Sequence, residues 1–118
     1  MENTIKIERG KSHAFYHSGL LCIVHRTGVS DMGHLCGYVA IPTEHPLHGK
    51  DYSCDDIATL HVHGGVTFAD WGDWPNVWLI GFDTNHMFDR GNHPGEDYAI
   101  NQTKILAEQI AKKGNQNQ

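Results

Sequence analysis

The chain has 118 residues, of which 39% are hydrophobic and 19% are charged. These values are typical of globular proteins, so we expect one domain over residues 1–114 and a flexible tail over residues 115–118. The formal charge of −5 argues against general nucleic-acid binding, because such binding needs a basic surface. No apolar run approaches the roughly 20 residues of a membrane-spanning helix, so no membrane partner is expected.

The N-terminal residues and the cysteines bear on where in the cell the protein is located. Residues 1–6 lack the basic and apolar pattern of a secretion signal. Three widely spaced cysteines, Cys22, Cys36 and Cys54, suit a reducing environment better than a disulfide framework. We therefore expect a cytoplasmic protein.

Apolar segments predict an antiparallel sheet of about five strands. A turn over residues 27–33 joins two clear strands into a hairpin, and a loop over residues 42–52 follows it. The segment 66–69 is either a short hairpin partner or a bent continuation of the strand before it. The predicted strands cover residues 4–8, 20–26, 35–41, 57–63, 66–69 and 77–83, and the later predicted loops cover residues 70–76 and 84–95.

A helix is predicted over residues 98–113. Apolar side chains recur there at helical spacing, and Asp97 and Gly114 are suited to begin and end the helix. The predicted buried stripe contains Ala99, Thr103, Leu106 and Ile110, widened by Ile105. Together, the predicted strands and helix indicate an α+β fold in which the C-terminal helix packs on one face of the sheet.

His61 and His63 form the first candidate constellation. In a strand the two imidazoles would leave the same face, because Val62 lies between them. They can hydrogen-bond a ligand or exchange protons with it. They can also share zinc or another divalent metal with Asp83 or His86, although our leading expectation is a site without a metal or other cofactor. The structural alternative is a solvated sheet face.

Gly64 and Gly65 follow this pair. Together with the Thr67 hydroxyl, their backbone N–H groups can receive a phosphate, as turns with successive free N–H groups do. The spacing matches no named phosphate-binding loop, so a tight bend or β-bulge explains the two glycines equally well.

A carboxylate and an imidazole follow the apolar strand 77–83. Asp83 ends this strand, and His86 and Asp89 come after it at three-residue steps. A carboxylate can orient an imidazole or shift its pKa, which favours a functional role for the cluster over ordinary turn residues.

Cations and aromatic residues complete the candidate set. Arg26, at the end of a hairpin strand, is the cation that we most expect to meet a phosphate. Tyr38 or a loop tryptophan, Trp71 or Trp74, is expected to stack on a nucleobase. Trp78 lies within a predicted strand and is assigned to the core or to an interface.

Four ordered segments carry a resemblance to a family of small proteins encoded by phages and in bacterial genomes. The segments are Cys36-Gly37-Tyr38-Val39, His45-Pro46-Leu47-His48-Gly49-Lys50, His63-Gly64-Gly65-Val66-Thr67-Phe68 and Gly81-Phe82-Asp83-Thr84-Asn85-His86-Met87-Phe88-Asp89, and the resemblance covers roughly residues 20–89. Compact phage proteins of this size often counter host defence, several by binding or cleaving nucleotide-derived immune signals. The resemblance therefore implies a viral anti-defence protein acting in the host cytoplasm.

Two functions are compatible with this set of residues. The leading one is a binding protein that sequesters a small phosphorylated nucleotide-like signal, with Arg26 and the glycine turn at the phosphate. The other is a hydrolase, in which His63 is the general base and His86 is the general acid, oriented by Asp83 or Asp89. A protein-binding decoy using the tryptophan loop is a third reading. Because one helix covers only one face of the sheet, we also expect a homo-oligomer, most simply a dimer.

Overall fold

The computed structural model describes residues 5–27, 34–51, 53–72, 77–84 and 95–115. Outside these ranges lie residues 28–33 of the predicted turn 27–33, the end of the tryptophan loop, most of the loop after Asp83 and residues 116–118 of the predicted tail 115–118. The described elements are β1 (Ser12–His17), β2 (Leu20–Arg26), β3 (Leu35–Ile41), α1 (Asp55–Ala58), β4 (Phe68–Trp71), β5 (Trp78–Asp83) and α2 (Glu96–Asn115).

The five strands form one sheet in the order β1-β2-β3-β5-β4. All neighbouring strands are antiparallel, and α2 packs against β2 and β3. The α+β prediction is therefore confirmed. Among the described helices, none has the length and apolar character needed to cross a bilayer.

Alternation along the strands gives the sheet two different faces. The face under α2 carries the main core, in which Val39 and Ile80 are fully buried against Leu106 and Ile110. The predicted helix stripe is confirmed, since Ala99, Thr103, Leu106 and Ile110 are all 0% exposed. Ile105 is 36% exposed, so its assignment to that stripe was wrong.

Gly37 sets the distance between α2 and the sheet. An added Cβ there would fall well inside van der Waals contact with the Thr103 hydroxyl and the Phe82 ring. Both of these side chains are almost completely buried. Only glycine lets the helix approach the sheet this closely.

Several boundaries differ from the sequence prediction. Residues 5–8 form no strand, whereas β1 was not predicted at all. The two-residue connection from β1 to β2 is Ser18-Gly19, with φ of 56° and 78°, which is the backbone of a type I′ hairpin turn. The helix α2 begins at Glu96 and continues through residue 115, so Asp97 is not its N-cap and Gly114 does not end it.

The predicted strand 57–63 was also wrong. Its first residues belong to the short helix α1, and the remainder is irregular. Ile57 and Leu60 are both buried, a three-residue spacing that fits a helical turn better than a strand. The following strand, predicted as 66–69, is displaced to β4, so Asp70 and Trp71 pair with β5 instead of lying in a loop.

Candidate functional site

A groove of 320 Å³ crosses the face of the sheet that α2 leaves open. Small-molecule sites begin at about this size, and they are usually lined by apolar and aromatic side chains with a few polar groups. This groove has that composition. It is lined by Ser12, Ile23, His25, Tyr38, Phe68, Trp71, Gly72 and Leu79.

Gly81 allows two aromatic rings to form one part of the lining. It lies opposite Tyr38 on β3 and opposite Phe68 on β4, and an added Cβ would collide with the Tyr38 ring. The Tyr38 and Phe68 rings meet edge to face, with centroids 5.4 Å apart. Trp71 also borders the groove, but its ring lies on the other face of the sheet, where it packs edge to face on the core residue Trp78 with centroids 5.0 Å apart.

The polar groups of the groove come from β1 and β2. The Ser12 hydroxyl and Nδ1 of His25 are 2.6 Å apart, and the two residues are paired in the ladder. A hydroxyl and an imidazole can both donate to, or accept from, a sugar or phosphate oxygen. The groove therefore combines aromatic surfaces with a polar pair.

Tyr38 also belongs to a polar neighbourhood on the same face. Its hydroxyl is hydrogen-bonded to the Cys36 thiol, and Asp83 is the ladder partner of Cys36. Burial raises the pKa of Tyr38, and both neighbours raise it further. Burial likewise raises the pKa of Cys36, although the bond from Tyr38 opposes this. At neutral pH both groups therefore stay protonated and are poor nucleophiles.

The structure joins the predicted residues Thr67 and Asp83. The Thr67 hydroxyl donates to Oδ2 of Asp83 at 3.3 Å, and the Thr67 N–H donates to the Gly81 carbonyl at 2.9 Å. These bonds fasten the segment before β4 to the end of β5. His86 and Asp89, the other members of the predicted carboxylate cluster, lie outside the described residues.

His63 lies against α2 and not on a strand. Its Nδ1 is 2.8 Å from the Tyr98 hydroxyl, and its backbone N–H donates to the side chain of Gln102. His61 is exposed, and the Gln109 side chain bonds both its N–H and its carbonyl. Two glutamines of α2 thus satisfy this backbone in place of a neighbouring strand. The prediction that both imidazoles leave the same face of a strand was wrong.

Gly64 and Gly65 form a tight turn. Their φ angles are 69° and 81°, in the left-handed region that favours glycine. The Gly65 N–H donates to the Val62 carbonyl at 2.8 Å, so it is already bonded within the chain. The bend that was the structural alternative for these glycines is present, and a phosphate role for them stays a prediction.

The geometry does not assemble the predicted metal ligands. Over the described ranges, no group of three or more His, Cys, Asp or Glu side chains is arranged to hold a metal ion. The set of His61, His63 and Asp83 is therefore not brought together as a three-ligand centre.

Arg26 is held on the helix side of the sheet. Its guanidinium donates to Oε2 of Glu96 at 3.1 Å and to the Ile7 carbonyl at 2.7 Å. The Ile7 N–H donates to the same carboxylate oxygen at 3.1 Å. These bonds fasten the N-terminal segment and the start of α2 to β2. Because neighbouring His25 lines the groove, alternation puts Arg26 on the opposite face from it.

Replacing Glu96 with glutamine should reduce the dependence of stability on acid pH. Burial would raise the pKa of Glu96, but bonds from the Ile7 backbone, its own backbone and Arg26 outweigh burial and lower the pKa. The carboxylate therefore stabilises the fold above its unfolded pKa, and this contribution is lost as pH falls through the folded pKa. Urea unfolding from about pH 6 to pH 3 should show a smaller loss for Glu96→Gln than for the wild type.

Glu44→Gln serves as the control for this measurement, because Glu44 is exposed and its carboxylate accepts a hydrogen bond from the neighbouring Thr43 hydroxyl at 3.2 Å. This variant should follow the wild-type pH profile. Equal profiles for Glu96→Gln and wild type would contradict the role assigned to Glu96.

Most of the groove was not predicted from the sequence. Tyr38 and Trp71 were predicted ligand contacts, and both line it. Ser12 was missed because β1 was missed, although the Ser18-Gly19 hairpin signal was present. His25 lies on β2, a correctly predicted strand, but no motif marks it.

Comparisons of the chain with protein-family models, with curated proteins and with solved structures found no match.

Proposed function

We infer that the protein binds a small phosphorylated nucleotide-like ligand in the open-face groove and sequesters it without cleavage. The observation that carries this proposal is the combination of the Tyr38 and Phe68 rings with the Ser12–His25 pair in one groove. Every nucleobase offers a flat π-surface, and stacking on an aromatic side chain contributes about 1–3 kcal/mol per base. The hydroxyl and imidazole can bond the ribose or a phosphate.

The side chains of the groove favour capture over turnover. Its titratable members, within the described lining, are His25 and Tyr38, and the raised pKa of Tyr38 keeps it a neutral phenol. A hydrolase needs an acid and a base, or an activated nucleophile, within reach of the scissile bond. The alternative hydrolase would instead use His63, Asp83 and His86, of which His63 bonds Tyr98 and Asp83 bonds Thr67.

The resemblance to small phage-encoded proteins supports a biological role for such capture. A viral anti-defence protein would remove a nucleotide-derived immune signal in the host cytoplasm. Binding without release is sufficient for that role, so it requires no catalytic motif. The proposal includes neither a metal nor another cofactor.

The proposal can be tested with a panel of cyclic dinucleotides and ADP-ribose derivatives. A bound nucleotide at a hundredfold excess over its dissociation constant should stabilise the protein by about 2.7 kcal/mol, seen as a higher melting temperature. After heat denaturation, chromatography should recover the ligand intact. Recovery of products would instead support the hydrolase, and His63→Ala should then bind without turnover. One zinc ion per chain by metal analysis would favour a metal-dependent hydrolase.

Two variants distinguish the groove from the His63 cluster. Phe68→Ala removes one of the two rings of the groove and should abolish the nucleotide-induced melting shift. Tyr98→Ala removes an exposed ring that bonds His63 and does not line the groove, so it should retain the shift. If Tyr98→Ala instead loses the melting shift and the groove variant retains it, the ligand binds at the His63 cluster and not in the groove. If no nucleotide shifts the melting curve, the proposed function is wrong.

A further inference from the structure

In the part of the chain that the structure describes, no strand pairs with the outer edge of β1. Strands at sheet edges are usually protected from pairing by charged side chains, proline, bulges or short length. Residues 12–17 read Ser-His-Ala-Phe-Tyr-His, so this six-residue strand carries no proline, Lys, Arg, Asp or Glu. The opposite edge, β4, has only four residues and includes Asp70. Tyr16 on β1 is 76% exposed.

The ladder with β2 fixes which backbone groups of β1 point outward. The Lys11 carbonyl accepts from the Arg26 N–H at 3.0 Å, so this carbonyl faces β2, whereas the Lys11 N–H donates to the Glu8 carbonyl at 2.9 Å. Successive residues alternate in direction along an antiparallel strand. The N–H and C=O groups of Ser12, Ala14 and Tyr16 therefore point away from the sheet.

We propose that two copies of this chain pair antiparallel through β1, with Ala14 opposite Ala14 of the second copy. This register sets the outward groups of Ser12 against those of Tyr16 in the second copy. The two-fold axis repeats the arrangement, so six backbone hydrogen bonds join the two sheets into one of ten strands. The two helices then lie on the same face, and both grooves open on the other.

Charge complementarity favours a second copy as the occupant of this edge. In the proposed register, His17 lies opposite Lys11 of the second copy. The Glu108 carboxylate is 2.7 Å from Nε2 of His17, so an acidic group stands where the incoming ammonium arrives. Lys11 directly precedes β1, and alternation from His17 back to Lys11 puts both side chains on the same face, so the symmetry provides this contact twice.

The pairing also brings a ring to the groove. Ser12 lines one end of the groove, and Tyr16 of the second copy stands opposite it on the same face. If the groove binds a nucleotide as proposed above, each site receives an aromatic side chain from the other copy. This step rests on the proposed function, whereas the pairing itself does not.

Light scattering without any nucleotide tests the pairing. Wild-type protein at high micromolar concentration should have twice the chain mass of 13.2 kDa. Ala14→Lys sets two like charges opposite each other and should give a single-chain mass with an unchanged circular dichroism spectrum. Ala58→Lys, at an exposed alanine of α1, is the control and should remain dimeric.

Disulfide trapping tests the register, in a Cys54→Ser background that removes the half-buried thiol. Opposite residues of a hydrogen-bonded pair have Cα atoms about 5.5 Å apart, within the range of a disulfide. Oxidised Ala14→Cys should form a covalent dimer, and Ala58→Cys should not. Ser12→Cys and Tyr16→Cys should cross-link when mixed, and neither should do so alone.

Each outcome decides the proposal. A monomeric wild type, or a dimer that keeps its mass in Ala14→Lys and gives no Ala14→Cys cross-link, would overturn it. If Ala14→Lys fails to fold, the trapping experiment decides. Failure of the nucleotide panel leaves the pairing unaffected, because neither measurement contains ligand.

Discussion

Replacing Leu106 with aspartate should destabilise the protein by about 4 kcal/mol or more. Leu106 is 0% exposed in the main core cluster beneath α2. The new carboxylate would lose its hydration and meet only apolar neighbours such as Val39 and Ile80 of that cluster. Because folded domains are stable by only about 5–15 kcal/mol, the melting temperature should fall by about 15 °C or more.

Ile105→Asp is the matched control for this prediction. It introduces the same side chain one position earlier in α2, where the native residue is 36% exposed. A substitution at such a surface position usually changes stability by about 0.5 kcal/mol or less. Comparable losses in the two variants, or an unchanged melting temperature for Leu106→Asp, would mean that this face of α2 is not part of the core.

The helix was predictable from sequence because its signal is local and long. Four apolar or small positions recur at helical spacing over the twelve residues 99–110, and the structure buries all four. The strands β2, β3 and β5 were predictable for the same reason, since each is an apolar run bounded by polar or turn residues. Their pairing order was not, because it depends on contacts between distant segments.

The segment from Ile57 to Thr67 shows why local pattern alone is insufficient. Alternation of His61, Val62 and His63 suggested a strand. The backbone there instead takes its hydrogen bonds from the Gln102 and Gln109 side chains. The sequence of the segment itself does not indicate that side chains 39 and 48 residues later take the place of a neighbouring strand as hydrogen-bond partners.

The groove was hard to predict for a related reason. Its lining comes from β1, β2, β4, β5 and Tyr38 of β3, and each contribution is one or two residues of ordinary type. Only the register of the sheet brings them together. Histidines and carboxylates can be recognised as candidate site residues from the sequence. The aromatic groove over Gly81 can be recognised only from the three-dimensional structure.

Gly37→Ala should destabilise the protein by about 3 kcal/mol, a large effect for the addition of one methyl group. The added Cβ would overlap the Thr103 hydroxyl and the Phe82 ring. Both side chains are enclosed in the core and have no free space to enter. Either α2 moves away from the sheet or the Thr103 and Phe82 side chains leave their rotamers, and each change loses packing. Urea unfolding should show a lower midpoint with an unchanged slope.

Gly95→Ala is the matched control for this substitution. It adds the same methyl group at the residue before α2, where no atom of the described residues lies within 4 Å of the new Cβ, so the loss should be about 1 kcal/mol or less, the difference between alanine and glycine at a helix N-cap. Adding Thr103→Ala to Gly37→Ala should recover part of the loss, because it removes one of the two colliding groups. A Gly37→Ala variant that unfolds at the wild-type urea concentration would show that α2 does not need the close approach that Gly37 provides.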